Sequence, residues 1–196
     1  MIERLGLLGG TFDPVHLGHL AVARQCREQV GLDRVLLVPS FLPPHRSAPS
    51  ASADDRLAMA RLAAEGVEGL EVDDVEVRRG GVSYAVDTVR EMTSRTRGAH
   101  LIVLLGMDAA AEFASWRDPA TILDLASVVV FNRAGVPAAG PSALPPGSQL
   151  LEVDSPAVSA SGVRAALAAG EPVDGLLPKP VIEYIRARGL YGPAVA

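Results

Sequence analysis

The sequence predicts an α/β fold in which helices cover both faces of a parallel sheet. Short apolar runs alternate with helical patterns along the chain, and this alternation is typical of strands joined by helical crossovers. The runs at 5–8 and 100–105 are strongly apolar, as expected for buried strands. The 196 residues suffice for one domain with a substantial core.

The predicted elements follow one another from the first apolar run to the C-terminus. Strands are predicted at 5–8, 34–38, 70–77, 100–105, 127–131 and 149–153, the third as one strand or two short ones. Helices are predicted at 17–30, 55–64, 83–95, 119–126, 161–168 and 180–188. The segments 39–54 and 134–148 are rich in Pro, Ser, Ala or Gly and are predicted as loops, the second a mobile surface loop.

Composition narrows the class of function. A hydrophobic content of 48% with 21% charged residues is typical of soluble globular proteins, and no apolar run is long enough for a bilayer span. The net charge of −5 argues against broad nucleic-acid binding. Cys26 is the single cysteine and shares a helical stripe with Val22 and Val30, so it is predicted in the core. Since no signal peptide is apparent, we expect a cytoplasmic protein with neither membrane nor nucleic-acid partners.

The most informative stretch is Gly-Gly-Thr-Phe-Asp-Pro-Val-His-Leu-Gly-His at residues 9–19. Its leading glycines allow the backbone to approach a ligand closely and to reach positive φ without steric cost, and its proline is expected to fix the turn. His16 and His19 lie three residues apart where a helix should begin, so both can point from one face toward unpaired N–H groups that favour anions. The spacing fits neither a zinc protease, a Walker loop nor a dinucleotide fingerprint. We therefore predict a phosphate site.

Further polar segments follow other predicted strands, where ligands of parallel sheets bind. Pro-Pro-His-Arg at 43–46 offers donors for phosphate or carboxylate, although a plain solvated loop fits equally well. Asp108, after the strand at 100–105, suits a ribose hydroxyl. Ser159, Ser161 and Arg164 open a helix after the last strand and predict a second anion site. Ser83 is a plausible N-cap, with Thr88 facing solvent or ligand.

These segments together resemble the nucleotidyltransferase superfamily with the His-x-Gly-His motif, and within it the bacterial nicotinate-nucleotide adenylyltransferase family. Ser-Tyr-x-x-Asp-Thr at 83–88, Gly-x-Asp at 106–108 and the following Trp116 narrow the resemblance to that family. A closing helix at 177–191 matches as well, so the similarity runs over nearly the whole chain.

The resemblance implies a single Rossmann-like nucleotidyltransferase domain over 1–196, with closing C-terminal helices from about 159. It implies that ATP and nicotinate mononucleotide are joined into nicotinate adenine dinucleotide and pyrophosphate in NAD biosynthesis, by direct in-line attack and with Mg²⁺ arriving on ATP. Positioning and charge stabilisation would then carry the reaction. The implied catalytic residues are His16, His19 and Arg164. The implied ATP-binding residues are Gly9, Gly10, Thr11, Phe12, Gly18, Gly106, Asp108, Ser159, Ser161 and Arg164. The implied acceptor-binding residues are His45, Arg46, Ser83, Tyr84, Thr88 and Trp116.

Three departures from the family pattern stand out. Arg46 replaces a lysine, Ala160 replaces a serine, and Ser161 replaces a threonine. A sister transferase with a phosphopantetheine or cytidyl acceptor stays open as an alternative, as does a nucleotide sensor without turnover. The sequence also leaves a homo-oligomer open, and it names no basic side chain for a nicotinate carboxylate.

Overall fold

A computed structural model describes residues 3–44, 47–133 and 144–192, and six parallel strands form one sheet there. The spatial order is β3-β2-β1-β4-β5-β6. The strands are β1 (Arg4–Gly10), β2 (Arg34–Pro39), β3 (Leu70–Val72), β4 (His100–Gly106), β5 (Ser127–Arg133) and β6 (Gln149–Val153). The predicted parallel sheet is confirmed, and the predicted first, second, fourth and fifth strands extend by one or two residues beyond their expected bounds.

Six of the helices that the structure describes lie in the connections between strands, as the alternating pattern predicts, and two more follow the last strand. They are α1 (Leu17–Val30), α2 (Ala53–Ala64), α3 (Val75–Arg79), α4 (Ala85–Arg95), α5 (Met107–Ala111), α6 (Pro119–Leu125), α7 (Ala160–Ala168) and α8 (Lys179–Arg188), with a short 3₁₀ turn at Phe113–Ser115. The bounds of α1 agree with the sequence prediction because its apolar pattern stops at Gly31, which caps the helix in the left-handed conformation at φ 69°. No helix in these described stretches is long and apolar enough to cross a membrane.

Strand order places a topological switch at the centre of the sheet. The chain runs outward from β1 through β2 to β3, then returns to place β4 on the other side of β1. The crossovers after β1 and β4 therefore leave on opposite faces, and a crevice opens between them at the carboxyl ends of the strands. The predicted site segments follow β1, β2, β4 and β6 and thus share this edge.

Alternating side chains of the strands build two cores, one on each face. In β1, Leu8 joins the core beneath α1, α2, α7 and α8, whereas Leu5 and Leu7 join the core beneath α3, α4, α5 and α6. Cys26 is fully buried in the first core, as predicted, and burial raises the pKa of its thiol to about 12. Helices on both faces are thereby confirmed.

Two predictions of local structure are wrong. The predicted strand at 70–77 ends at Val72, and Val75–Arg79 is a helix instead. The side chain of Asp73 accepts a hydrogen bond from the Val75 amide at 2.9 Å and so turns the chain out of the strand. Ser83 is not an N-cap either, because α4 begins at Ala85 with Tyr84 in the capping position. Of the predicted mobile loop, residues 134–143 lie outside the described residues.

Candidate active site

The turn between β1 and α1 is shaped by Phe12 rather than by its glycines. Phe12 adopts φ 50° and is 2% exposed, whereas Gly9 and Gly10 do not use the positive φ that glycine allows. A Cβ at Gly10 would lie 2.9 Å from the Phe12 ring, so glycine is needed there for packing. A Cβ at Gly9 would meet nothing within 4 Å, so this backbone faces open space.

His16 and His19 form one stacked unit at the start of α1. Their ring centroids lie 3.7 Å apart with an interplanar angle of 20°, and the ring of Phe12 packs edge-on against His19 at 4.9 Å. The backbone N–H of His16 donates to Nδ1 of His19 at 3.2 Å. Since an accepting Nδ1 carries no proton, Nε2 is the N–H donor of the neutral His19 ring. His16 is 2% exposed and His19 is partly exposed, so His19 is the more accessible of the two.

Gly18 permits the close approach of a distant segment to this pair. A Cβ at position 18 would lie 3.0 Å from Cγ1 of Val158 and 3.1 Å from Nδ1 of His16. The first amide of α1 is already used, because Leu17 donates to the carbonyl oxygen of Leu176 at 2.9 Å. The expectation of unpaired N–H groups at this helix start is therefore wrong for Leu17.

The start of α7 joins the same turn. Arg164 donates from Nη1 to the backbone oxygen of Asp13 at 2.7 Å and lies 3.9 Å from the Asp13 carboxylate. Ser159 caps α7 by accepting from the Gly162 amide at 3.1 Å, and its hydroxyl lies 3.2 Å from that of Ser161. The structure thus brings to one turn the histidine pair and the Arg164 segment, which the sequence predicted as two anion sites.

Asp13 is the buried anchor of this cluster. Its carboxylate is 4% exposed and accepts from the amides of Ser50 and Ala51 at 2.7 and 3.1 Å and from the hydroxyl of Tyr191 at 2.6 Å. Burial raises the pKa of Tyr191, which keeps its phenol protonated as a donor. With three donors on its oxygens, Asp13 supports the turn rather than a metal. No group of three or more His, Cys, Asp or Glu side chains that could hold a metal is found in the described segments.

Ser83 and Thr88 lie in a second cluster around α4, and their local surroundings differ from prediction. Thr88 is 5% exposed; its hydroxyl donates to Glu76 at 2.6 Å and accepts from Arg79 at 2.9 Å. Its expected place on the solvent or ligand side is wrong, because Thr88 shares an inward face with buried Met92 one turn later. Ser83 accepts from the amide of Phe41 at 2.9 Å. Burial raises the pKa of the Glu76 carboxyl beneath them.

Trp116 and Arg117 pack beside the start of α4. The Arg117 guanidinium lies 4.8 Å over the Tyr84 ring and 3.6 Å from the Asp87 carboxylate, while Trp116 packs against Phe113 with centroids 5.4 Å apart. Two segments that were singled out separately in the sequence are thus neighbours. Arg117 thereby places a guanidinium beside the start of α4.

The structure neither supports nor opposes the predicted roles of the remaining residues. Gly106 ends β4, and a Cβ there would meet Phe131 only at 3.5 Å, so packing does not require glycine. Asp108 is exposed in the first turn of α5. His45 and Arg46 lie outside the described residues.

Sequence reasoning missed Arg56, which the structure places beneath the turn. Arg56 is 1% exposed, and burial lowers the pKa of its guanidinium while the nearby Asp13 carboxylate opposes that shift. A signal was available, because Arg56 lies one turn before Ala60 and two turns before Ala63, on the apolar stripe of α2. An arginine on a buried stripe indicates a built hydrogen-bond network.

Comparison with known proteins identifies relatives over the full length. A family model described as cytidylyltransferase-like matches residues 7–166. The chain is 43% identical to a probable nicotinate-nucleotide adenylyltransferase of Bordetella petrii, over 97% of this chain and 100% of that protein. It is 39% identical to a protein of the same name from Gemmatimonas aurantiaca, over 96% of this chain and 92% of the relative.

Solved structures share the fold at lower identity. Plasmodium falciparum nicotinic acid mononucleotide adenylyltransferase, complexed with NaAD, superimposes with a TM-score of 0.80 at 16% identity, covering 96% of this chain and 97% of that one. A putative nicotinate-nucleotide adenylyltransferase from Vibrio parahaemolyticus gives a TM-score of 0.69 at 18% identity, covering 97% and 96%. These likenesses establish a nucleotidyltransferase-like fold.

Proposed function

The chain belongs to the cytidylyltransferase-like family, and from that premise we propose that it transfers the adenylyl group of ATP to nicotinate mononucleotide in NAD biosynthesis. The proposal of this acceptor, rather than a cytidyl or phosphopantetheine one, rests on relatives that match nearly the whole chain. The closing helix and the segment around Trp116 lie within that match.

One observation carries the chemical part of the proposal. The stacked His16–His19 pair and Arg164 approach the turn after β1 from two different helices, and Arg164 is held there by the Asp13 carbonyl. The convergence of imidazole and guanidinium donors on one turn suits a polyphosphate. The open space beside Gly9 leaves room for that anion next to the backbone.

In the proposed reaction, an oxygen of the mononucleotide phosphate attacks the α-phosphorus of ATP. A new P–O bond forms as the bond from the α-phosphorus to the bridging oxygen breaks, and pyrophosphate leaves with that oxygen. His19 and His16 stabilise charge that develops on the phosphates, and Arg164, Ser159 and Ser161 hold the departing pyrophosphate. No covalent intermediate with the protein is needed.

Magnesium enters this proposal as part of the ATP substrate. The buried carboxylate of the turn, Asp13, is taken up by three donors, and the other groups around the turn are imidazole, guanidinium and hydroxyl. Such a donor set suits phosphate oxygens better than a resident Mg²⁺, which prefers carboxylates and water. The metal is therefore proposed to be coordinated by phosphates and water, and the protein binds the complex.

We assign the acceptor's pyridine ring to the surface formed by Tyr84, Trp116 and Arg117. The helix α4 begins there without a side-chain cap, and the Arg117 guanidinium lies over Tyr84. Amide donors and a cation both favour a carboxylate, whereas a carboxamide would set its own N–H₂ against a donor. An unpaired donor costs about 1–3 kcal/mol, so we expect the acid to exceed the amide by at least about tenfold in kcat/KM.

The test is pyrophosphate release from Mg–ATP with nicotinate mononucleotide, nicotinamide mononucleotide and phosphopantetheine, and from CTP with the same acceptors. Turnover with ATP and nicotinate mononucleotide is expected to dominate. Equal kcat/KM for acid and amide would disprove the assignment of the pyridine surface but keep the transferase. Turnover only with phosphopantetheine or CTP would assign the chain to a sister activity, and nucleotide binding without any turnover would make it a sensor.

A further inference from the structure

Arg56 is a buried cation whose guanidinium donates hydrogen bonds to backbone carbonyl oxygens. Its Nη1 donates to the carbonyls of Thr11 and Ser40 at 2.7 and 2.6 Å, its Nη2 to Phe41 at 2.9 Å, and its Nε to Ala51 at 3.3 Å. The side chain is 1% exposed, so these carbonyls replace the water that the guanidinium loses. A network of this cost in a buried position calls for an explanation beyond packing.

The four carbonyls belong to three separate pieces of chain. Thr11 lies in the turn after β1, Ser40 and Phe41 follow β2, and Ala51 precedes α2. Ala51 is bonded on both sides, because its amide donates to the Asp13 carboxylate and its carbonyl accepts from Arg56. The turn after β1 is therefore held against Ala51 at two points, directly at Asp13 and through Arg56 at Thr11.

The network continues from Phe41 toward α4. The carbonyl of Phe41 accepts from Arg56, and its amide donates to the Ser83 hydroxyl at 2.9 Å. The Ser83 amide in turn donates to the Leu42 carbonyl at 2.9 Å. An unbroken series of hydrogen bonds thus runs from the phosphate-side turn at Thr11 to the segment that leads into α4.

We propose that Arg56 is a positioning residue, which fixes the turn that binds ATP relative to the chain segment next to the acceptor. The inference rests on the proposed function, because it assigns the two ends of the network to the two substrates. In-line transfer requires both reactants within a narrow distance and angle, and a small misplacement costs about 10²-fold in rate. Arg56 acts through the backbone it orients and touches neither substrate.

Arg56→Lys tests this role because it keeps the charge but not the geometry. A lysine donates from one nitrogen, whereas Arg56 serves four carbonyls from three nitrogens in a planar fork. We expect kcat to fall by about 10²-fold while KM for each substrate changes by less than about threefold, since orientation rather than binding is lost. Arg61→Lys, at an exposed site on the same helix, is the matched control and should keep kcat.

A folded Arg56→Lys protein with kcat within about twofold of the native enzyme would overturn the proposal. So would a loss carried by KM alone, because that outcome describes a binding residue. Thermal unfolding of both lysine variants separates these results from a failure to fold.

A second measurement needs no variant. Inorganic tripolyphosphate mimics only the phosphates of ATP, and its effect on amide hydrogen exchange can be followed in the native chain. We expect protection both in the turn at 9–13 and at Ser40 and Phe41, because Arg56 joins these segments. Protection confined to the turn would overturn the role of Arg56 and leave the transferase intact. Protection at neither segment would overturn the phosphate site itself, and with it the premise on which this inference rests.

Discussion

The two halves of the candidate site are built in opposite ways. On the phosphate side, Asp13 and Arg56 are 4% and 1% exposed, and each is bonded to distant parts of the chain. On the acceptor side, Arg117 and Asp87 form a pair whose side chains are 58% and 32% exposed. The anchoring residues of the phosphate side thus belong to the core, whereas this ion pair of the acceptor side lies on the surface.

Because of this difference, we expect substitutions on the phosphate side and on the acceptor side to have different costs to folding. Buried polar networks lose much of their stability when one member is removed, so the phosphate side tolerates little change. Exposed ion pairs contribute about 0–1 kcal/mol, so the acceptor side can vary at small cost to folding. A family that keeps one reaction and changes acceptors would place its constraints in this way. The predictions below test the contrast, beginning with the largest effect.

The largest effect is expected at His19. Asn at this position offers an acceptor near the place of Nδ1 and can keep the bond from the His16 amide, but it lacks the donor at Nε2. His19→Asn should therefore lower kcat by roughly 10²-fold or more, as loss of a transition-state donor does. His19→Gln, whose amide reaches the Nε2 position, should lose less. Both variants lose the ring contacts with His16 and Phe12, which are worth about 1 kcal/mol each.

His100→Asn is the matched control for that experiment. His100 begins β4 at the opposite edge of the sheet, and its Nε2 lies 2.9 Å from the Ser127 hydroxyl. Its substitution should leave kcat unchanged. Near-native kcat in His19→Asn would remove this imidazole from the proposed chemistry and leave Arg164 as the main phosphate donor.

A smaller effect is expected when either of two tyrosines that donate to a buried aspartate is replaced by phenylalanine. Tyr191 bonds Asp13 at 2.6 Å beside the turn, and Tyr184 bonds Asp55 at 2.9 Å away from it. Tyr191→Phe should lower the free energy of unfolding by about 1.5–3 kcal/mol, the range for hydrogen bonds to charged groups. It should also reduce kcat several-fold, by about 1 kcal/mol in the activation barrier, because Arg164 is held by the Asp13 carbonyl.

Tyr184→Phe provides the comparison, since Asp55 keeps its bonds from Ser52 and Arg188. We expect a loss of stability of about 1 kcal/mol with native kcat. Urea unfolding and steady-state rates on the same preparations measure both quantities. An equal loss of kcat in both phenylalanine variants would show that the rate follows the loss of stability, and the specific role of Asp13 beside the turn would be disproved.

The sequence predicts those features of the site that are local in the chain. The motif at 9–19 and the bounds of α1 depend on neighbouring residues, so both were predictable. The burial of Arg56 could be predicted from its helix, but the partners of Arg56 and Tyr191 could not, because Thr11 and Asp13 lie 45 and 178 positions away. Pairings of this range are set by the order of strands in the sheet, and no short pattern encodes them. Thr88 was misplaced for a local reason, since its spacing from Met92 indicates an inward face.

The smallest effect concerns how stability depends on pH, and it is expected at Glu76, beneath Ser83 and Thr88 on the acceptor side. Burial raises the pKa of Glu76 above the ordinary value of 4.5, while bonds from Thr88 and Ser83 and the charge of Arg79 oppose the rise. The opposite case is Asp55, whose pKa is lowered below 3.8 by hydrogen bonding from Ser52, Tyr184 and Arg188. One carboxylate is thus destabilised by its surroundings, and the other is stabilised.

The two carboxylates therefore predict stability changes of opposite sign. Above pH 4.5 the folded state holds the Glu76 proton longer than the unfolded chain, so native stability falls as pH rises through the folded pKa. Glu76→Gln removes this dependence, so its free energy of unfolding should increase relative to that of the native protein as pH rises over that range. Below pH 3.8 the unfolded chain protonates Asp55 first, so the native advantage over Asp55→Asn shrinks as pH falls. Urea unfolding from about pH 3 to about pH 8 measures both differences. The opposite result would be a native protein that becomes more stable relative to Glu76→Gln as pH rises. Glu76 would then be a stabilising anion paired with Arg79. The acceptor side would in that case contain a buried ion pair, as the phosphate side contains buried charges.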